Sequence, residues 1–288
     1  MGGAFSPALR FMAIMEWEDF KEQADLDSLN YVDYYNWNDW NRNEAENRER
    51  GFLDCPVISE LFGEWEGKRV WILAAGPSLL NKIDYLRDSG CLENDKVICV
   101  DRAVQVTYRH KIKPDIVITA DKSKKCATYM GLASFYNTIF AGCVISDPLT
   151  WRHAYNKGDK IYKYSLINEL GLFWNGYEEK YGKEDCVLQG GCIVTFIACD
   201  LAVKMGAKEV VTIGNDLCID QFGVYQEAMY NNSFVRLKDG TITVPGFLAG
   251  RNDMSMLPTH HKDVKFIDVS GGLDKGENWT QTNIEEVV

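Results

Sequence analysis

Val70 to Leu80 reads V-W-I-L-A-A-G-P-S-L-L, and no other stretch limits the fold as tightly. Val70 to Ala75 is short and apolar, the pattern of a strand covered on both faces. Gly76-Pro77 stops it, because proline has no N–H to give a ladder and glycine allows backbone angles other residues avoid. Leu79, Leu80, Ile83 and Leu86 then recur at helical spacing. The stretch is a strand, a sharp turn and a helix. Such a turn presents free backbone N–H groups and the positive end of a helix dipole at the carboxyl end of a strand. Open parallel sheets take nucleotides and phosphates there. An ordinary strand-to-helix turn has the same pattern, so the turn alone fits either.

The alternation continues along the chain. Strands are expected at Val70–Ala75, Lys96–Val100, Ile116–Ala120, Thr138–Ile145, Ile161–Ser165 and Glu209–Ile213. Helices are expected at Ser78–Ser89, Ala103–His110, Lys122–Met130 and Ile193–Met205. Asn168 to Asp185 reads as irregular, and regularity fades after Asp220, apart from a hairpin turn at Asp239-Gly240, a late strand at Val264–Val269 and a final helical turn within Asn283–Val288. Strands alternating with helices give an α/β fold, a doubly wound and mainly parallel sheet of Rossmann-like type.

Charge is unevenly placed. Residues 1–66 hold 15 acidic and 5 basic residues, so they carry −10 of the net −11. With Trp17, Tyr31, Tyr34, Tyr35, Trp37 and Trp40 among those acids, this segment is too aromatic for a disordered tail. We expect an acidic, aromatic N-terminal arm over 1–66 and a nucleotide-binding catalytic domain over 67–288. Asn41 to Arg50, with alternating charges, suits a solvated helix. The arm packs on the main domain or on a second subunit of a homo-oligomer, or serves as a lid over an acceptor. The absence of a basic stripe argues against nucleic acid. Nine cysteines without C-x-x-C or zinc spacing point to a reducing, cytosolic setting. No apolar run reaches the ~18 residues of a membrane span.

Four strand ends are polar: Gly76-Pro77-Ser78, Asp101, Asp121 and Gly214-Asn215-Asp216. In an open parallel sheet these share one rim, so they converge on one crevice. Asp101 is suited to accept from a ribose or amino group, or to cap the next helix. Asp121 is suited to a divalent cation. It is also suited to a surface ion pair, since Lys122, Lys124 and Lys125 follow and no second acid adjoins it in sequence. Asp216 orients an acceptor, binds a base edge, or caps. Gly190-Gly191 precedes a helix, where glycine admits a ligand to the backbone or lets the helix pack closely. Among four histidines, His260-His261, in a loop after Pro258, are the best general-base candidates, unless they form a solvated pair. The G-x-x-x-x-G-K-[ST], G-x-G-x-x-G and G-x-S-x-G signatures are all absent.

Three ordered motifs carry a resemblance: A-A-G-P-S-L at Ala74–Leu79, G-G-C-I-V at Gly190–Val194, and I-G-N-D-L at Ile213–Leu217. With Val244-Pro245-Gly246 and V-S-G-G-L-D-K-G at Val269–Gly276, the chain from Lys68 to Val288 resembles the MptE-like and Maf-like family. That family joins 6-hydroxymethylpterin pyrophosphokinases and motility-associated-factor glycosyltransferases. Its pattern is G-x-G-P-S-L, then G-G-S-V, then G-x-D-L. Here Ala74 replaces the first glycine, and Cys192 replaces a serine whose hydroxyl suits phosphate.

The resemblance implies that Gly76, Pro77, Ser78, Leu79, Gly190 and Gly191 hold a nucleotide or nucleotide-sugar; Asp101 and Asn215 join them as candidates from their place at the strand ends. It implies a glycosyltransferase using a CMP-activated nonulosonic sugar; Asp121, Asp216 and His260, from their own chemistry and placement, are the catalytic candidates. The pyrophosphokinase branch implies instead ATP, with Mg2+ at Asp121. A third expectation is a nucleotide-binding module without catalysis. One acid among three lysines at Asp121 weighs against the pyrophosphokinase.

Overall fold

β-branched residues dominate the apolar runs, and they form strands where both faces are covered. The computed structural model describes residues 14–16, 37–131, 138–157, 160–167, 187–219 and 234–288. In chain order, β1 is Ile14–Glu16 and α1 is Trp37–Glu49. β2 (Arg69–Leu73) leads into α2 (Pro77–Asp88), and β3 (Lys96–Val100) into α3 (Ala103–Arg109). β4 (Ile116–Thr119) leads into α4 (Lys124–Gly131), and β5 (Ile139–Cys143) into α5 (Pro148–Lys157). Next come β6 (Lys160–Ile167), β7 (Val187–Gln189), α6 (Val194–Lys204) and β8 (Glu209–Ile213). β9 (Phe234–Arg236), β10 (Ile242–Thr243), α7 (Pro245–His260), β11 (Lys265–Asp268) and β12 (Thr280–Gln281) complete the series.

Nine strands form one sheet in the order β12-β11-β8-β2-β3-β4-β5-β6-β7. Every neighbouring pair in it is parallel. The chain winds outward from β2 to β7, then returns to β8 on the other side of β2, so the topological switch point lies between β2 and β8. Leu73 is in register with Ile213, so Ala74–Ser78 and Gly214–Asp216 leave the sheet side by side. Val100 is in register with Ile118, which sets Asp101 beside Thr119 at the end of β4, two residues before Asp121. The doubly wound α/β expectation therefore holds, and the four polar strand ends share one edge. A separate sheet of β1, β9 and β10 includes the hairpin expected at Asp239-Gly240.

One apolar core runs through the sheet and its helices. Trp40, Leu53, Ile58, Leu61 and Trp65 belong to it, so residues on both sides of the expected 66/67 boundary share a core. α1 is less solvated than its charges suggest. Asn43 Nδ2 donates to the carbonyls of Lys122 (3.1 Å) and Ile145 (3.2 Å). Asn47 Nδ2 donates to those of Val144 (3.0 Å) and Ser146 (2.8 Å). Trp17, Tyr31, Tyr34, Tyr35 and the stretch expected to be irregular, Asn168 to Asp185, lie outside the described residues.

Two helices are additions to the expected set. α5 starts at Pro148, where Asp147 Oδ1 accepts from Leu149 N at 2.8 Å. α7 runs through a segment rich in Gly and Pro, with Pro258 inside it. Pro258 cannot donate to the carbonyl four residues back, and Trp279 Nε1 donates to that Met254 oxygen instead, at 2.7 Å. His260 is consequently the last residue of a helix, which corrects the expected loop. Among the described residues, no helix is long and apolar enough to cross a membrane.

Candidate functional site

At the switch point the special glycine angle falls on a different residue from the one expected. Gly76 adopts φ −74° and ψ 163°, open to any residue. Gly214 adopts φ +79°, and a Cβ there would stand 2.0 Å from the Ala74 carbonyl oxygen. That close approach lets Gly76 N donate to Gly214 O at 2.7 Å, joining the two turns.

Ser78 and Asp216 then bond each other. Asp216 Oδ2 accepts from Ser78 N (3.2 Å) and from Ser78 Oγ (3.0 Å), while Gly214 N donates to Ser78 Oγ at 3.0 Å. A carboxylate from β8's end thus takes the place expected for a ligand anion at the start of α2. The Asp216 cap serves α2 rather than a helix of its own. Burial pushes its pKa up to about 6 against the pull of the Ser78 hydrogen bonds and the Lys275 charge. Leu79, expected beside the ligand, is fully buried in the core, its Cβ facing Gly214. Gly76 and Pro77 form the turn itself, with Pro77 opening α2.

Under this turn lies a polar cluster missed in the sequence. Lys275 is fully buried; its Nζ donates to Leu273 O and stands 3.2 Å from Asp268 Oδ2. Asp268 Oδ1 accepts from Thr212 Oγ1 at 2.7 Å. Asn215 N donates to Ser270 Oγ at 2.9 Å, which ties the tail to β8. The only sequence signal was the V-S-G-G-L-D-K-G run, which contains Ser270 and Lys275.

Gly190-Gly191 leads from β7 into α6 at the same edge, two residues earlier than the helix proper. A Cβ on Gly191 would meet Phe196 Cδ1 at 2.5 Å, so packing requires the glycine. Asp253 Oδ2, from α7, accepts from Cys192 N at 2.7 Å. A carboxylate of the chain again sits at the beginning of a helix.

The β3 and β4 ends differ. Asp101 carries φ +38°, a conformation rare outside glycine. Cys126 Sγ donates to its Oδ1 at 3.4 Å, and no helix cap is formed by its side chain. Burial and the neighbouring negative charge of Asp121 push its pKa up to about 7. Asp121 Oδ1 accepts from Ser123 N at 2.7 Å. Asp121 therefore lies near enough for its charge to act on Asp101, although no second acid adjoins it in sequence. Arg102 lies 4.5 Å from the Tyr129 ring centroid, and Lys122 Nζ is 5.9 Å from that of Trp40.

No histidine reaches this edge. His110 ends α3 and pairs with Asp84 Oδ1 at 2.9 Å. His153 lies in α5 against Gly131, at the end of α4. His260 closes α7 just before β11 begins, which places His260 and His261 at the opposite edge of a parallel sheet. The structure brings Gly76–Ser78 together with Asn215 and Asp216, and Asp101 with Asp121; it leaves His260 apart.

The sequence profile of the family described as 6-hydroxymethylpterin diphosphokinase MptE-like matches residues 42–222. No curated protein matches the chain. Among solved structures, a Maf glycosyltransferase from Magnetospirillum magneticum superposes with TM-score 0.58 at 17% identity, over 78% of this chain and 37% of that one. The chain thus spans little more than a third of that enzyme, and the likeness establishes a shared fold. Two structures of the sialyltransferase CstII from Campylobacter jejuni align at 16% and 14% identity. One is with CMP-3FNeuAc and covers 70% of this chain and 79% of that one; the other is with cytidine-5'-monophosphate and covers 74% and 88%. Their TM-scores, 0.32 and 0.34, add nothing to the fold assignment.

Proposed function

This chain belongs to the MptE-like family, and from that premise we propose that it is a transferase acting on a nucleotide-activated donor. The donor lies along the carboxyl edge from β8 through β2 and β3 to β4. Gly76, Pro77 and Asn215 border the nucleotide at the switch point, and Gly190-Gly191 borders it at the start of α6. The observation that carries this reading is Asp101, a carboxyl with a pKa of about 7 beside Asp121 at that edge. A base titrating near neutrality is matched to removing a proton from an acceptor hydroxyl as the bond to the donor forms. With every histidine elsewhere, the carboxylates are the acid–base groups we assign among the described residues.

The donor we favour is a CMP-activated sugar. The acceptor oxygen forms a bond to the anomeric carbon, that carbon's bond to the CMP phosphate oxygen breaks, and Asp101 takes the hydroxyl proton. Asp121 keeps Asp101 basic through its charge. Asp216 and Leu79 support the turn rather than touch substrate, and the arm through Glu66 braces the loops after β4 and β5.

A second reading, diphosphate transfer from ATP to a hydroxymethylpterin, is favoured by the pairing of Asp101 with Asp121. Two carboxylates suit the oxygen preference of Mg2+, so these residues would hold it. When bound, it would neutralise phosphate charge. Lys122 and Lys124 flank the same loop.

The test is a thermal-shift series with CMP, CTP, ATP and UDP, each with and without Mg2+. A ligand bound only to the folded state raises stability by about 2.7 kcal/mol at a hundredfold excess over Kd. A metal-independent shift by CMP or CTP supports sugar transfer. A shift by ATP that needs Mg2+, with AMP released in the presence of hydroxymethylpterin, replaces it with diphosphate transfer. No shift by any of the four removes the nucleotide site.

A further inference from the structure

Building on that reading, we infer that Asn215 is the residue that recognises the heterocycle of the bound ligand, through its side-chain carboxamide. Asn215 ends β8 at the switch point and is only 3% exposed. Its Nδ2 is enclosed and has no hydrogen-bond partner among the described residues. Buried amides are nearly always paired, so an enclosed free donor needs a physical reason.

The backbone on both sides of it is pinned. Asn215 N donates to Ser270 Oγ at 2.9 Å. Gly214 is wedged against Ala74, and Asp216 is held by Ser78. Leu217 is held at φ +54°, with its carbonyl accepting from Thr243 Oγ1 at 2.7 Å. Four consecutive residues are thus fixed, and one side chain among them is left unspent. This is the preorganisation a recognition residue needs.

Among the described residues, the polar side chains next to Asn215 are already engaged. The Ser78 hydroxyl both donates and accepts, Ser270 Oγ accepts from Asn215 N, and Thr212 Oγ1 donates to Asp268. A neutral carboxamide carries a donor and an acceptor side by side in one plane. Its natural complement is a planar edge with an adjacent acceptor and donor, as on a nucleobase or on the lactam edge of a pterin. A bare phosphate lacks that pattern.

Calorimetric titration of the full chain with CMP, AMP, hydroxymethylpterin and ribose 5-phosphate tests this. Asn215→Leu keeps the number and branching of the side-chain heavy atoms, adds volume, and removes the unpaired amide. We expect its affinity for whichever heterocycle binds to fall about 10- to 100-fold, the range for losing one bidentate pair. Binding of ribose 5-phosphate should stay unchanged. Asn215→Asp, which keeps the shape but replaces the donor, should weaken the heterocycle similarly. Wild-type heterocycle affinity in Asn215→Leu overturns the inference and leaves the proposed function standing. So does an equal loss for ribose 5-phosphate, which makes the residue structural. A wild-type chain that binds none of the heterocycles overturns the proposed function and the inference together.

Discussion

The two strand junctions at the carboxyl edge spend their polar groups differently. Between β2 and β8, Ser78, Gly214 and Asp216 bond one another, and Lys275 with Asp268 lies fully buried nearby. Between β3 and β4, two carboxylates stand close enough for Asp121 to raise Asp101, which also holds an unfavourable backbone angle. The first junction carries the recognisable motif, yet most of its polar chemistry goes into holding two turns together. The second has no motif, and it retains charge that folding alone would remove. Strained, like-charged groups persist where surrounding structure enforces them, and such groups mark sites of function.

If the β2–β8 junction is structural, breaking it should unfold the protein. Gly214→Ala forces a Cβ onto the Ala74 carbonyl at a positive φ, and we expect a loss above about 3 kcal/mol. Soluble yield and a melting curve check this; a near-normal melt would show that the two turns are not locked. Lys275→Met leaves Asp268 buried without its cation, for an expected loss of about 3–5 kcal/mol in urea denaturation. A change under 1 kcal/mol, roughly the worth of an exposed pair, would mean that water reaches this cluster.

Ser78→Ala removes the acceptor of Gly214 N and one donor to Asp216, with an expected loss of about 1–3 kcal/mol. Unaltered stability combined with lost nucleotide binding would instead return Ser78 to the ligand.

Asp101→Asn sharpens the contrast by reversing the sign. Folding raises the Asp101 pKa from 3.8 to about 7, so the folded chain holds an extra proton between those values. The stability associated with Asp101 is fully present below about pH 4 and is lost as pH rises through about 7. Asparagine tolerates the positive φ and removes the repulsion. Asp101→Asn should therefore gain up to about 4 kcal/mol at pH 8 and nothing near pH 4, while abolishing transfer activity. Urea denaturation at both pH values, with an activity assay, checks it. Destabilisation at pH 8 would make Asp101 part of the scaffold after all.

Much of the scaffold was legible from the chain. The bounds of β3 and β8 match the apolar runs Lys96–Val100 and Glu209–Ile213, because four of five residues in each are buried and the runs end in turn-formers or polar groups. α7 was not legible, because glycines and two prolines disguise it and its defect is repaired by Trp279, 25 residues from Met254 in sequence. Asp101 and Asp121 were each visible as a polar strand end, but their pairing was not, since 20 residues and a helix separate them. His260 looked like a loop base until α7 carried it to the far edge.

Apolar runs, turn residues and helical spacing act over a few neighbours, so the strands, most helices and the shared rim follow from local order along the chain. Which carboxylate meets a serine, which meets another carboxylate, and which amide is left without a partner depend on strand register and on burial. Ser78 and Asp216 are 138 positions apart, and no local rule reaches across that distance. Parallel pairing of β2 with β8 and of β3 with β4 brings those groups within hydrogen-bonding or Coulombic range, and low-dielectric burial then makes each encounter strong enough to matter.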